Sequence, residues 1–204
     1  MSVLCVNAEN STTEDSGADI FNDFLTDNGY DLSKDEIALN KNICVDVDKS
    51  GLDYQNMAVL TAYFASNEYD ICFMDDKTFD YYAKNVCFED ISKYLDKAVL
   101  EKYKDRLAYV TIDGKEYPCG IRLSADDNEF VKASGLYSSC TVGVCCDSSH
   151  DAMVKKLCGY IITVAAFLFL LLLSYEFLLF LSFKIPPIAR STTLRHETIN
   201  KSGT

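Results

Sequence analysis

The side chains best placed to do chemistry are acids, amides and hydroxyls that follow short apolar runs. Asn7 and Glu9 come just after VLCV, and Asp75, Asp76 and Thr78 come just after ICFM. Turns this rich in acceptors suit a polar, hydroxylated or cationic partner. In parallel α/β sheets ligands gather beyond the carboxyl ends of the strands, so Asn7, Glu9, Asp75, Asp76 and Thr78 form the candidate ligand-binding set. The same residue types also serve a plainer purpose, because an Asp between a strand and a helix accepts the free backbone N–H groups of the first turn. Both readings stay open here.

Other chemistry finds little support. The chain contains no GxGxxG, GxxxxGK[ST], GxSxG or HExxH, so no cofactor is expected. Adjacent acids such as Asp126-Asp127 and Glu89-Asp90 carry little weight in a chain with 31 of them, and no nucleophile and base can be paired. A non-catalytic protein is the expectation. Asp46-Val-Asp48-Lys-Ser50-Gly51 imitates the opening of a calcium loop, but Met57 stands where a bidentate carboxylate is needed, and a solvated turn explains the segment. Nine cysteines include no CxxC pair. Most lie inside apolar runs, where the thiol acts as a small hydrophobe. With only His150 and His196 available, the usual zinc spacing is missing and no metal site is expected.

The elements that must position these residues alternate in pattern. Val3–Asn7 reads as a strand, Ala18–Leu25 as a helix with Phe21, Phe24 and Leu25 on one face, and Ile43–Val47 as a second strand. Tyr54–Ser66 has Met57, Leu60 and Phe64 at helical spacing, and Ile71–Met74 is a short buried strand. Two further helical stripes follow, Phe79/Tyr82/Ala83/Val86 and Ile91/Tyr94/Leu95/Ala98. Strand and helix in strict succession imply an α/β fold, a single three-layer lobe whose mostly parallel sheet is covered on both faces. Ala108–Ile112 and Lys115–Ile121 flank Asp113-Gly114, a strong two-residue hairpin signal, and Pro118 places the second arm at an edge or end. Tyr137–Cys146 reads as one more strand. Ser148 or Ser149 is the expected cap of a last helix starting at Asp151.

Charge divides the chain into three. Residues 1–156 form an acidic domain summing to −14, residues 157–183 hold Glu176 as their only acid and no base, and residues 184–204 form a short basic tail summing to +3. The whole carries −12, which argues against nucleic acid as a partner and against a basic tether to anionic lipid. Leu157–Tyr175 is 19 residues without a charge. At about 1.5 Å per residue, such a run extended to Phe183 is long enough to cross the ~30 Å hydrocarbon core. One C-terminal transmembrane helix is therefore expected, with the lipid bilayer as a partner and the cell membrane as the location. Lys155 and Lys156 flank one end and Lys184, Arg190 and Arg195 the other, so the positive-inside rule leans only slightly to a cytoplasmic C-terminus. The opening MSVLCVNAENSTTEDSGAD has neither a basic n-region nor an apolar stretch of signal length. A tail anchor with a cytosolic domain fits equally well.

TAYFASNEYDICFMDDKTFDYYAKNVCFEDISKYL, residues 61–95, resembles the first lobe of bacterial extracellular solute-binding proteins, the type 2 periplasmic-binding-like fold. DGKEYPCGIRL, residues 113–123, is similar to the strand that approaches the hinge in that family. VGVCCDSSHDAMVKKLCGYI, residues 142–161, looks like its later strand, turn and helix. The resemblance covers about residues 3–162 and points to the family's small, membrane-attached members. It implies a solute-binding-like module that contacts a polar small molecule or a partner protein. The family's second lobe would fall between Ile121 and Tyr137, where about fifteen residues are too few for a domain. One lobe alone does not clasp a ligand by hinge closure. The alternative is a structural or degenerate single-pass membrane protein without independent ligand binding.

Overall fold

A computed structural model of the chain describes residues 1–9, 17–48 and 54–163. Leu168–Thr204 forms one unit of the chain and Met1–Phe167 the other, which holds every described residue. Its elements are β1 (Ser2–Val6), α1 (Ala18–Asp27), β2 (Ala38–Ile43), α2 (Tyr54–Ala65), β3 (Ile71–Met74), α3 (Asp76–Ala83), α4 (Lys97–Lys102), β4 (Leu107–Ile112), β5 (Lys115–Ser124), α5 (Glu129–Ser134) and β6 (Ser139–Val144). A further helical stretch, α6, covers residues 151–163.

The six strands form one sheet in the order β2-β1-β3-β6-β5-β4. The α/β class is as expected, and β2, β1 and β3 are parallel. The other half differs: β6 returns antiparallel beside β3, and β5 and β4 continue antiparallel. The sheet is therefore mixed. The hairpin at Asp113-Gly114 explains part of this, since both residues have positive φ, 51° and 76°, as a tight two-residue connection between antiparallel arms requires.

β1 and β3 are buried on both sides, as central strands must be when helices cover both faces. Val3, Cys5, Ile71 and Phe73 point into one core with α1, α5 and α6. Leu4, Val6, Cys72 and Met74 point into the other, with Leu60 of α2 and Phe79 and Tyr82 of α3. In the second core the ring of Phe79 lies on two glycines. A Cβ at Gly120 would sit 2.5 Å from Phe79 Cζ, and one at Gly143 would sit 2.6 Å from Phe79 Cε2. That ring stacks on Phe88 at 4.2 Å between centroids, and the Cβ at Gly143 would also sit 3.0 Å from Phe88 Cδ1. Bare backbone on β5 and β6 is what lets α3 settle on the sheet.

Four local expectations are corrected. The second strand lies at Ala38–Ile43, upstream of the expected Ile43–Val47, because β1 turns away at Asn7 (φ 59°) and the ladder ends there. The stripe of the third helix stops at Ala83; Val86 has φ 57° and is exposed. The helix expected through Ile91–Ala98 breaks into a 3-10 turn at Ile91–Lys93 and then α4, although Ile91, Tyr94 and Leu95 still face the core. Its 3-10 turn is capped by Asp90, whose carboxylate accepts the Ser92 N–H at 3.0 Å. The residue at the N-terminal boundary of α6 is His150 rather than Ser148 or Ser149: Met153 and Val154 donate to the His150 carbonyl, while Ser148 Oγ accepts the His150 N–H at 3.2 Å. Pro118 lies beside the register shift in the β4–β5 ladder, in the part of β5 that precedes its pairing with β6 at Ile121.

The lobe extends past residue 156. Leu157, Cys158, Ile161 and Ile162 are buried in the first core, and the buried amide of Asn128 donates to the Ile161 carbonyl at 2.9 Å. The apolar run up to Ile162 is thus packed as part of the lobe. Among the described residues no helix is long and apolar enough to cross a membrane; the rest of the expected span and the basic tail lie outside them.

Candidate functional site

Three of the five candidates meet at the carboxyl ends of β1 and β3. Asn7 Nδ2 donates to Asp75 Oδ2 at 2.7 Å, to Thr78 Oγ1 at 3.1 Å and to the Val45 carbonyl at 2.8 Å. Asn7 Oδ1 accepts the Val45 N–H at 2.7 Å. The amide thereby takes both backbone groups of Val45, standing in for the strand neighbour that β1 no longer supplies. Asp75 Oδ1 accepts the Thr78 N–H at 3.0 Å and caps α3. Thr78 is buried.

The other two candidates lie in separate clusters. Asp76 accepts the hydroxyl of buried Thr141 and lies 3.6 Å from Arg122 Nε, whose Nη2 reaches Asp80 at 2.9 Å. Glu9 accepts both the Ser138 hydroxyl, at 2.6 Å, and the Ser138 N–H, at 3.0 Å. Those two bonds, the hydroxyl's first, hold its carboxyl below the usual carboxylate range against the opposing effect of burial. On the reverse side of the β1/β3 crevice, the buried hydroxyl of Tyr137 lies 2.8 Å from the Val6 carbonyl and 3.0 Å from that of Phe73, sharing its one proton between them. Burial pushes the Tyr137 phenol well up.

The arrangement offers a carboxylate oxygen, an amide and a hydroxyl within one cluster, a set suited to polar, hydroxylated or cationic groups. In this structure each is engaged within the lobe. Surface grooves of about 390, 380 and 360 Å3 are lined by other residues. Binding at the crevice therefore means exchanging the Asn7–Asp75 bond for a bond to the ligand.

A second polar node escaped the sequence reading. Asp70, buried beneath the start of α6, accepts the Ser2 N–H at 2.7 Å, the Ser148 hydroxyl at 2.6 Å and His150 Nδ1 at 3.0 Å. Burial pushes its carboxyl up, but the bonds from Ser148, Ser2 and His150 outweigh that and hold it below the ordinary value. Ser149 Oγ also lies on the Nδ1 side of His150, at 3.2 Å. Both serines therefore gather at the Asp70 side of the ring, and neither stands across it as a nucleophile would in a serine–histidine–aspartate relay. The node ties α6 to the start of β1. Its only sequence signals were an Asp before ICFM and a Ser-Ser-His before a helix.

Among the described residues no three His, Cys, Asp or Glu side chains gather into a group that would hold a metal ion. In the segment that imitates a calcium loop, Asp46 accepts the Asp48 N–H at 3.0 Å and Asp48 pairs with Lys77; residues 49–53 lie outside the description.

What the fold and the site define is an α/β lobe with helices on both faces of a mixed six-stranded sheet. The chain matches no protein-family model, no curated protein and no solved structure.

Proposed function

We propose that the protein is a membrane-anchored, non-catalytic, solute-binding-like module that contacts a polar small molecule at the carboxyl ends of β1 and β3. The observation that carries this reading is the meeting of Asn7, Asp75 and Thr78, from segments about seventy residues apart, at the place where parallel strands present ligands. It is supported by the order helix, buried strand, acidic turn and helix in residues 54–83, which overlaps residues 61–95, the first of the three segments that carry the family resemblance. Anchoring rests on the sequence: residues 164–183, beyond the packed part of α6, are 20 residues with Glu176 as their only charge, about the length of one span.

The test is thermal unfolding of the full chain in mild detergent against a panel of sugars, amino acids and short peptides. A saturable rise in Tm that disappears in Asp75→Ala supports the reading. No response to any of the panel refutes small-molecule binding at this crevice.

A second reading has its own support. Asn7, Asp75 and Thr78 are already bonded to one another, and Tyr137 fills the reverse of the crevice. Such a closed rim suits a structural lobe that assembles with a partner protein. Co-purification of a stoichiometric second chain, with no ligand response, favours this alternative. Membrane attachment is tested separately: recovery of the full-length chain in the aqueous fraction without detergent refutes the span.

A further inference from the structure

Of the nine cysteines, six are buried and Cys44, Cys87 and Cys146 are not. Cys87 and Cys146 stand opposite each other. Phe88 and Cys145 form an antiparallel bridge between the segment after α3 and the end of β6, and the Cys146 N–H donates to the Cys87 carbonyl at 3.2 Å, one residue further out. Cys87 and Cys146 thus occupy a hydrogen-bonded position of the bridge, where opposed residues have Cα atoms roughly 5.5 Å apart, inside the ~4.4–6.8 Å that a disulfide spans.

Both cysteines line one groove of about 390 Å3 whose walls include Met57, Phe64 and Tyr82. The groove gives a small molecule access to the pair. Cys44 is not part of that lining. The remaining thiols, Cys5, Cys72, Cys119, Cys140, Cys145 and Cys158, are sealed in the two cores or between strands.

We propose that Cys87 and Cys146 are a disulfide-forming pair, closed by exchange with a low-molecular-weight disulfide entering this groove. One cysteine thiolate attacks a sulfur of the small disulfide, a protein–small-molecule S–S bond forms, and the first small thiolate leaves. The second cysteine thiolate then attacks the protein sulfur of that mixed disulfide, the intramolecular S–S bond forms, and the second small thiolate leaves. Two protein thiols are oxidised and one disulfide is reduced to two thiols, which carry away the two protons. The link joins the exit of α3 to the exit of β6 across the Phe88–Cys145 bridge, and so clamps the floor of the groove.

Burial first, and then the neighbouring Cys146, push the Cys87 thiol up to about 11; burial also raises Cys146. The reactive thiolates are therefore scarce near neutrality, and closure should accelerate about tenfold per pH unit from roughly pH 7 to 9.

The experiment treats the full-length protein in detergent micelles with oxidised glutathione and reads the products by intact mass and peptide mapping. The expected result is loss of two hydrogens and a linked Cys87–Cys146 peptide pair that dithiothreitol reverses. Cys146→Ser should instead stop at a glutathione adduct on Cys87, and Cys87→Ser at one on Cys146. The denatured chain, in which every thiol is reachable, should give mixed pairings. Persistent glutathione on Cys87 or Cys146 of the folded wild type overturns the proposal, as do modification of Cys44 alone and a linked pair other than Cys87–Cys146.

Discussion

Replacing Gly143 by alanine tests the packing that seats α3, and with it Asp75, Asp76 and Thr78, on the sheet. The new Cβ would lie 2.6 and 2.9 Å from Phe79 Cε2 and Cζ and 3.0 Å from Phe88 Cδ1. Neither ring has room to yield: both are essentially inaccessible to solvent, and they stack on each other at 4.2 Å and 10°. Overpacking of this kind costs about 1–3 kcal/mol. Removing a glycine from the unfolded chain returns about 0.4–1 kcal/mol, so the net loss should be about 1–2 kcal/mol. For a domain of this size that lowers Tm by about 3–7 °C. Thermal unfolding of the full chain in detergent, followed by the near-ultraviolet signal of its 13 tyrosines, measures it. Phe79→Leu in the Gly143→Ala background should recover part of the loss, because the two changes share one contact. Gly159→Ala is the internal control: on α6, with nothing within 4 Å of the added methyl, it should raise stability by about 0.5–1 kcal/mol. A Gly143→Ala protein as stable as the parent, or a Phe79→Leu change that makes it worse, refutes the account of how α3 is seated.

Three further outcomes follow from the polar nodes. Asn7→Ala removes the bonds to Val45, Asp75 and Thr78 and leaves alanine at φ 59°. It should cost about 2–4 kcal/mol and speed hydrogen exchange at the Val45 amide, with Asn7→Gly recovering only the backbone part, about 1 kcal/mol. Asp70 has a folded pKa below its unfolded value of about 3.9. Its contribution is therefore present above that unfolded value and fades as pH falls through the folded one, so Tm of Asp70→Asn should fall less steeply on acidification than Tm of the parent, and parallel curves contradict this. Asn128→Asp keeps the α5 cap from Val131 but turns an acceptor toward the Ile161 carbonyl that Asn128 now donates to; a loss of about 2–3 kcal/mol is expected by thermal unfolding, and an unchanged Tm would show that this clamp does not hold α6.

The sequence was most readable where structure is decided by neighbours in the chain. Ile71–Met74 is a strand with the bounds its apolar run implies, and α2 ends within a residue of its expected limit. Asp113-Gly114 turns the chain as its residue types require. Reading failed where a partner far along the chain decides. The position of β2 depends on where β1 stops, which the left-handed Asn7 determines. That β6 inserts antiparallel beside β3 is a matter of topology, and nothing in SCTVGV encodes its direction. The candidate set divides the same way. Asp75 and Thr78 were legible as a strand-to-helix turn, and Asp75 does cap α3. Their meeting with Asn7 was not legible, nor were the bonds of Tyr137 to Val6 and Phe73 or of Asp70 to His150, because each joins positions 64 to 131 residues apart.

Asn7 makes the cost of any ligand at this crevice specific. Its two amide protons face three acceptors and its oxygen holds the Val45 N–H, so the side chain has no spare donor to offer. A ligand donor that takes Asp75 Oδ2 displaces the Asn7 amide, and an amide that swings away also releases both backbone groups of Val45. Occupancy of the crevice and order in the segment after β2 are then opposing states of one side chain. A ligand that binds by this exchange should raise the lobe's global Tm while accelerating hydrogen exchange at Val45. A ligand that raises both Tm and Val45 protection binds without displacing Asn7, and the Asn7–Asp75 bond is then part of the scaffold.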